Sequence, residues 1–205
     1  MRATCVWLTG FVLAVAMPAR AAETVIEVAA AKAGVFHHLD ASGRNSLAVS
    51  GDGVALVWED NRSGDPACYL ALKKRDDPAF KEFQFGQGEC FEPAVTAFDA
   101  GRFLLIWEDA GGVRTAIADA SGPGPVTRLA ESGGQGNVVF HPGFGAFAAW
   151  SSPDGRWRRV WSAPLSLDGN TLRVGEPRPV DAAAATDDQT FPVLAASQQG
   201  LLLVW

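Results

Sequence analysis

The fold is decided by the stretch Ser46-Leu-Ala-Val-Ser-Gly-Asp-Gly-Val-Ala-Leu-Val-Trp58, in which two short apolar strands flank a tight turn and the second strand ends in tryptophan. Three further stretches nearly repeat it: Pro93-Ala-Val-Thr-Ala-Phe-Asp-Ala-Gly-Arg-Phe-Leu-Leu-Ile-Trp107, Asn137-Val-Val-Phe-His-Pro-Gly-Phe-Gly-Ala-Phe-Ala-Ala-Trp150 and Pro192-Val-Leu-Ala-Ala-Ser-Gln-Gln-Gly-Leu-Leu-Leu-Val-Trp205. Successive tryptophans are 49, 43 and 55 residues apart. Self-similarity at a period of about 50 residues indicates a stacked or radial repeat rather than one compact sandwich.

Each repeat divides into four predicted strands. No stretch has a sustained helical apolar period, and glycine and proline punctuate the chain at short intervals, so the sequence predicts an all-β protein. The strands are expected at about 46–50, 54–58, 67–74 and 80–85 in the first repeat, 94–98, 102–107, 113–119 and 125–130 in the second, and 137–141, 145–150, 157–165 and 172–179 in the third. Four antiparallel strands per unit, with tryptophan closing the second, are typical of a β-propeller blade.

The predicted fold is therefore a β-propeller of four-stranded antiparallel blades. The blades are expected at about 40–87, 88–132, 133–182 and 183–205, the last of them incomplete. Segment 24–39 contains an isolated strand, Thr24-Val-Ile-Glu-Val-Ala, which would complete the final blade and leave no free sheet edge. Because propellers need about four to eight blades, we expect residues 23–205 to be part of a six- or seven-bladed ring. The tryptophans are expected to pack between blades, and an aromatic platform for a sugar is the alternative.

Residues 1–22 have the pattern of an export signal. Arg2 supplies the positive charge, Val6 to Met17 is an apolar run, and Ala19-Arg20-Ala21 offers a cleavage site. A membrane anchor is the alternative, but the run is short for a bilayer crossing and no second apolar segment of spanning length follows. We therefore expect a periplasmic or secreted protein with no membrane span in the mature chain.

The charge distribution narrows the range of partners. The chain has 17 basic and 23 acidic residues, a formal net charge of −6, and no basic cluster. We do not expect nucleic acid or anionic lipid to be a partner, because both attract proteins mainly through lysine and arginine. The sequence also lacks a phosphate-binding glycine loop and a serine elbow, so no cofactor is expected. His37-His38 is the only paired imidazole, and no acidic ligand accompanies it at metal-binding spacing, so no metal site is expected.

Cys68 and Cys90 are the cysteines that remain when the export signal, which contains Cys5, is removed. Cys68 falls in the predicted third strand of the first repeat, and Cys90 lies just before the second repeat. In an oxidising compartment an even pair favours a disulfide, which here would tie one repeat to the start of the next. Two free buried thiols are the alternative. A zinc site is not expected, because neither cysteine belongs to a C-x-x-C pair.

Two stretches resemble repeats of exported bacterial propellers in the sialidase-like superfamily. They are Val57-Trp-Glu-Asp-Asn-Arg-Ser-Gly-Asp65 followed by Cys68-Tyr-Leu-Ala71, and Trp161-Ser-Ala-Pro-Leu-Ser-Leu-Asp-Gly-Asn-Thr-Leu172 continued through Asp187-Asp-Gln189 to Phe191-Pro-Val193. The resemblance covers about residues 40–205 and implies the propeller architecture. Working sialidases of this superfamily carry an arginine triad, a Tyr/Glu nucleophile pair, an aspartate acid/base and Asp boxes of the form S-x-D-x-G-x-x-W. Ser166-Leu-Asp168-Gly169 is similar to an Asp box with its glycine one residue early, and Tyr69, the only tyrosine, falls within a predicted strand.

Candidate ligand-binding residues surround the predicted axial opening. In a propeller the first strand of each blade starts on the face where the loop between the second and third strands emerges, so these two sets of residues meet there. The candidates are Arg44, Asn45, Asp60, Arg62, Glu92, Asp109 and Asn137. Arginine offers a planar fork to a carboxylate or phosphate, and acids accept hydrogen bonds from sugar hydroxyls. The alternative is that Glu59-Asp60 and Glu108-Asp109 begin turns and satisfy backbone donors.

Three functions from different classes are consistent with this pattern. The first is an exported binding or scaffold module that presents the opening to a polar ligand, a glycan or an envelope protein. The second is a sialidase-like glycoside hydrolase whose site is completed by further blades, and no catalytic residue is assigned for it. The third is a structural subunit of an envelope complex.

Overall fold

The computed structural model describes residues 37–38, 45–169 and 171–205. Across these ranges the chain contains seventeen β strands in four antiparallel sheets. The all-β prediction is thus confirmed. Within the same ranges no helix has the length and apolarity that a bilayer crossing requires. The expected export signal, Arg44 and all of the expected closing strand except residues 37–38 lie outside the described residues.

The strands follow one another in chain order within each sheet. Sheet 1 comprises β1 (His37–His38), β2 (Leu47–Val49), β3 (Gly53–Asp60), β4 (Ala67–Lys74) and β5 (Lys81–Phe85). Sheet 2 comprises β6 (Cys90–Asp99), β7 (Arg102–Asp109), β8 (Gly112–Asp119), β9 (Gly122–Pro123) and β10 (Thr127–Ala130). Sheet 3 comprises β11 (Gly134–His141), β12 (Gly145–Asp154), β13 (Trp157–Asp168), β14 (Thr171–Val174) and β15 (Arg178–Pro179), and sheet 4 comprises β16 (Val193–Ser197) and β17 (Gly200–Val204).

The strand that contains each repeated tryptophan, or ends just before it in sheet 4, pairs with the strand that precedes it in the chain. β1 and β2 both pair with β3 and together occupy the first position of sheet 1. β6 and β11 occupy that position in sheets 2 and 3, and β16 pairs with β17 in sheet 4. The sheets therefore share one pattern of pairing, as the repeated sequence predicts.

Several strand boundaries differ from the sequence prediction, and proline lies at two of them. β6 begins at Cys90 instead of at about residue 94, because the ladder with β7 continues through a bulge between Phe91 and Ala94. Pro93, which has no N–H to contribute to a ladder, lies inside that bulge. The strand expected at 172–179 is split into β14 and β15, which both pair with β13, and Pro177 lies between them.

The core lies between successive sheets. Phe103, Leu105 and Trp107 of β7 belong to the buried cluster shared with sheet 1, while Leu104 and Ile106 belong to the cluster shared with sheet 3. Alternate side chains of one strand thus serve two cores, because successive residues of a strand point to opposite faces. This arrangement explains why the strands are apolar on both faces. A third cluster, which includes Ala149 and Leu194, joins sheets 3 and 4.

The repeated tryptophans differ in their surroundings. Trp107 is 1% exposed and meets Phe85 of sheet 1 edge to face, with 5.1 Å between ring centroids. Trp150 is 2% exposed in the core between sheets 2 and 3. Packing between sheets is therefore confirmed for these two. Trp58 is also buried but stacks on Tyr69, outside the core that sheets 1 and 2 share, and Trp205 is 51% exposed.

The predicted disulfide joins Cys68 of β4 to Cys90 of β6, with 5.4 Å between their Cα atoms. Both residues are completely buried, and the bond connects sheet 1 to the first residue of sheet 2. Gly86 lies directly against the bond with a backbone φ of +89°. A Cβ atom at residue 86 would come within 2.7 Å of Cys90 Sγ, so this turn requires glycine both for its backbone and for the space it leaves.

We expect Trp107→Ala to lower the free energy of unfolding by about 3–5 kcal/mol, because it deletes a buried aromatic side chain between two sheets. Urea unfolding monitored by circular dichroism would measure the change. The matched control is Trp205→Ala, which removes a half-exposed ring and is expected to cost about 1 kcal/mol or less. Equal costs for the two variants would contradict the assignment of Trp107 to the core.

We also expect Cys68 and Cys90 to be alkylated only after reduction, which peptide mapping of denatured protein would show. The double variant Cys68→Ala/Cys90→Ala should lose about 2–4 kcal/mol of unfolding free energy, since the bond restricts the unfolded chain. Alkylation of both cysteines in unreduced protein would show that the bond does not form.

Candidate functional site

Two of the predicted ligand-binding carboxylates hold tryptophans in place. Trp58 Nε1 donates a hydrogen bond of 2.8 Å to Asp60 Oδ2, and Trp107 Nε1 donates one of 2.9 Å to Asp109 Oδ2. The side chain of Asp60 is 0% exposed and that of Asp109 is 2% exposed. A buried indole N–H needs an acceptor, and an aspartate two residues further along the strand supplies it in both repeats.

Asp60 also organises the loop that follows β3. Its carboxylate accepts hydrogen bonds from the Arg62 backbone N–H at 3.0 Å and from the Arg62 guanidinium. Arg62 in turn donates to Glu82 Oε1 at 2.8 Å and lies 4.3 Å above the ring centroid of Tyr69. The candidates Asp60 and Arg62 are therefore brought together as a structural ion pair.

The ionisation of this pair follows from its contacts. Burial alone would raise the pKa of Asp60, but the hydrogen bonds from Arg62 and Trp58 outweigh it, and the pKa lies below its usual range. The hydrogen bond to Asp60 raises the pKa of the Arg62 guanidinium, so both groups are charged at neutral pH.

Asp109 has the same role in sheet 2. It accepts hydrogen bonds from the backbone N–H groups of Gln87 at 3.1 Å and Gly111 at 2.8 Å, and from Arg114 Nε at 3.3 Å. The interpretation that these acids build turns and satisfy backbone donors accounts for the geometry of Asp60 and Asp109.

A second set of side chains connects the starts of the first strands. Glu92, Gln135 and Phe191 have left-handed backbone conformations, with φ of 53°, 57° and 53°. Glu92 and Gln135 lie two residues before Ala94 and Asn137, where the ladders of β6 and β11 resume after a bulge. Phe191 lies two residues before Val193, the first residue of β16. Among the described residues these are the only ones other than glycine with positive φ. Such a backbone costs a residue with a side chain on the order of 1 kcal/mol, so a repeated occurrence requires a compensating contact.

The compensating contact comes from the preceding sheet in every case. The Glu92 N–H donates to Glu59 Oε2 at 2.9 Å, the Gln135 N–H donates to Glu92 Oε2 at 2.8 Å, and the Phe191 N–H donates to Gln135 Oε1 at 3.1 Å. We call Glu59, Glu92, Gln135 and Phe191 the strand-start series. A hydrogen bond to a carboxylate, as at Glu92 and Gln135, contributes roughly 1.5–3 kcal/mol, and one to a neutral amide oxygen, as at Phe191, contributes roughly 0.5–1.5 kcal/mol. Both are comparable to or larger than the backbone cost.

The remaining candidates also contact neighbouring sheets. Asn137 is completely buried, and its Oδ1 accepts the Leu194 N–H of sheet 4 at 3.3 Å. Asn45 is exposed, while its backbone carbonyl accepts the Val95 N–H of sheet 2 at 2.8 Å. Arg44 lies outside the described residues. The candidates described therefore lie at one end of the sheets, and most of them serve contacts within or between sheets.

Three members of the strand-start series, Glu59, Gln135 and Phe191, were not among the sequence candidates. Gln135 and Phe191 have no charge and lie outside the repeated phrases that end in tryptophan. The signal that could have found them is their position, because Glu92-Pro, Gln135-Gly and Phe191-Pro all stand directly before an apolar strand. Glu108, which follows Trp107 as Glu59 follows Trp58, lies against Gly134, where a Cβ atom would come within 1.3 Å of Glu108 Oε2. Glycine at residue 134 leaves the space that this carboxylate occupies.

In the part of the chain that the structure describes, no group of three or more His, Cys, Asp or Glu side chains is arranged to hold a metal ion. A comparison with known protein families finds no family that matches the chain. A comparison with curated proteins likewise finds no significant match.

We expect Asp60→Asn to lower the free energy of unfolding at pH 7 by about 1–3 kcal/mol, because the ionised carboxylate holds Trp58 and Arg62. The folded pKa of Asp60 lies below that of the unfolded chain, about 3.9, so this stabilisation is present above that pH and is lost as the pH falls through the folded value. Urea unfolding at pH 7 and pH 3 should show the cost of the substitution shrinking in acid. Asp65→Asn, at an exposed position of the same loop, is the control, and an equal cost of Asp60→Asn at both pH values would contradict this role.

Proposed function

We propose that the four sheets are blades of a β-propeller. Sheets 1 to 3 each have the strand order of a four-stranded blade, and sheet 4 has its first two strands. Contacts between the first strands, β2 with β6, β6 with β11 and β11 with β16, are more extensive than contacts between outer strands such as β10 and β14. Sheets that approach more closely at their first strands than at their outer strands fan out from a common axis, which is the geometry of a propeller.

We further propose that the chain is an exported binding or scaffold module. Its strand-start face, the end of the sheets that carries Asn45, Glu59, Glu92 and Gln135, would be presented to a polar ligand, a glycan or an envelope protein. The disulfide between Cys68 and Cys90 favours an oxidising compartment, either periplasmic or extracellular.

The strand-start series carries this proposal. Carboxylate and amide groups at this face are held by hydrogen bonds to the backbone of the next sheet, between 2.8 and 3.1 Å long. A surface whose polar groups are already fixed loses little conformational entropy when it binds a partner. The same contacts favour binding over catalysis, because a carboxylate that supports the backbone is poorly placed to move as an acid or a nucleophile.

A sialidase-like hydrolase is the alternative, and the resemblance in the repeats is the observation that favours it. Retaining and inverting glycosidases need two carboxyl groups about 5–9.5 Å apart on either side of the scissile bond. Glu59 and Glu92 are successive members of the strand-start series, and they are the pair of carboxyl groups that this alternative would use.

A ligand panel distinguishes these functions. Calorimetric titration with 3′-sialyllactose, a muropeptide and trigalacturonate should detect saturable binding of at least one, and chromatography should detect no free sialic acid. Asn45→Ala, which removes an exposed amide at the strand-start face, should weaken that binding, and Gln84→Ala on the exposed side of β5 should not.

Two outcomes would contradict a glycan-binding module. Release of sialic acid that Glu92→Gln abolishes would establish the hydrolase. Absence of binding to all three ligands would leave two functions, a module that binds an envelope protein and a structural subunit of an envelope complex.

A further inference from the structure

The turns of sheets 1 and 2 enclose an open cleft of about 790 Å³ at the end of the strands opposite to the strand-start face. Three basic side chains, Lys74, Arg75 and Arg102, line this turn-side cleft together with four aspartates. The turns before β3 and after β4 form one wall, and the turns before β7 and after β8 form the other. Binding sites for small molecules commonly have volumes of about 300–1,000 Å³, so the cleft has the size of a ligand site.

The wall from sheet 1 is held by hydrogen bonds between its two turns. The Arg75 backbone N–H donates to the Asp52 carbonyl at 2.9 Å, and Arg75 Nη2 donates to the Gly51 carbonyl at 2.8 Å. Lys73 Nζ closes the second turn by donating to the Asp77 carbonyl at 2.5 Å. This wall of the cleft is therefore preorganised by contacts within the protein.

The wall from sheet 2 is fixed in a comparable way. Arg102 donates through Nε to Asp99 Oδ1 at 2.9 Å, and its guanidinium lies 5.5 Å from the ring centroid of Phe98. Asp119 Oδ1 accepts hydrogen bonds from the backbone N–H of Ser121 at 2.8 Å and from the Ser121 hydroxyl. The Ser121 hydroxyl and backbone, together with the charges of Lys74 and Arg102, hold the pKa of Asp119 below its usual range.

Polar groups of both signs remain for a ligand. Within the described ranges, neither the Lys74 ammonium nor Arg102 Nη1 has a hydrogen-bond acceptor, and Asp119 Oδ2 has no donor. Lys74 belongs to sheet 1, while Arg102 and Asp119 belong to sheet 2. The cleft thus offers donors from both walls beside an ionised acceptor.

The charge balance selects the class of ligand. Three cations and four aspartates leave little net field, so a simple anion or cation gains no strong attraction. A hydroxyl group both donates and accepts a hydrogen bond, and therefore matches a surface on which donors and acceptors alternate. We propose that the turn-side cleft binds a neutral oligosaccharide, at a site separate from the strand-start face.

Nuclear magnetic resonance titration of the ¹⁵N-labelled protein tests this proposal. Maltotriose and triacetylchitotriose are the neutral probes, and trigalacturonate is the charged one. We expect at least one neutral probe to bind with millimolar affinity and to shift the backbone amides of Arg75, Gly101, Arg102 and Ser121. Lys74→Met, which keeps the apolar stem and removes the ammonium donor, should weaken that binding about tenfold.

Arg173→Met is the matched control, since it removes an exposed cation from sheet 3 and should leave the affinity unchanged. Thermal unfolding should show that both variants fold as the parent does. The proposal is overturned if only trigalacturonate binds, if no cleft amide shifts, or if the two variants weaken binding equally. Shifts confined to Asn45, Glu92 and Gln135 would also overturn it, while supporting the strand-start face as the binding surface.

Discussion

The packing of apolar sheet faces against one another is the constraint on which the rest of the structure depends. A strand such as β7 is apolar on both sides, with Leu105 facing one core and Ile106 the other, so its sheet cannot be stable with either face in water. Each sheet therefore needs a neighbour, and the repeats stack in chain order. Trp107 and Trp150 fill the space between neighbours at the ends of the second strands, and the disulfide joins the first pair of sheets covalently.

Apolar packing is not directional, so it does not by itself set how one sheet is registered against the next. Polar contacts supply that specificity here. In each strand-start contact, a side chain of one sheet accepts a hydrogen bond from a backbone N–H of the following sheet. That N–H belongs to a residue with a left-handed backbone, and it has no partner in its own sheet. Asp60, Glu92 and Asp109, which the sequence indicates as ligand-binding acids, thus have a structural role.

The repeated phrase was sufficient to predict the strands and their order, because β3, β4, β7 and β8 are bounded by turns built from glycine, aspartate and asparagine. The start of β6 and the division of β14 from β15 were missed, because a ladder can continue around a proline through a bulge or a break. The pairing of Cys68 with Cys90 followed from their number and position. The placement of Asp60, Glu92 and Asn137 at one end was also predictable, and so was the role of Asp60 in the turn that follows β3. The partners of Glu92 and Asn137 were not predictable, because they lie on other sheets.

The strand-start contacts also have a direction. A side chain of each sheet accepts a hydrogen bond from the sheet that follows it. A repeat unit with Glu or Gln at the start of its first strand can therefore be followed by any unit whose first strand begins with an N–H that needs an acceptor. Phe191 breaks that rule, because a phenyl ring has no oxygen to offer the next strand. Repeat units of this chain are therefore not interchangeable in a duplication or a permutation. Units that begin with Glu92 or Gln135 can be copied in tandem, because each offers an acceptor to the next copy. In a copy that follows the unit beginning with Phe191, the N–H at the start of the first strand would need a different acceptor.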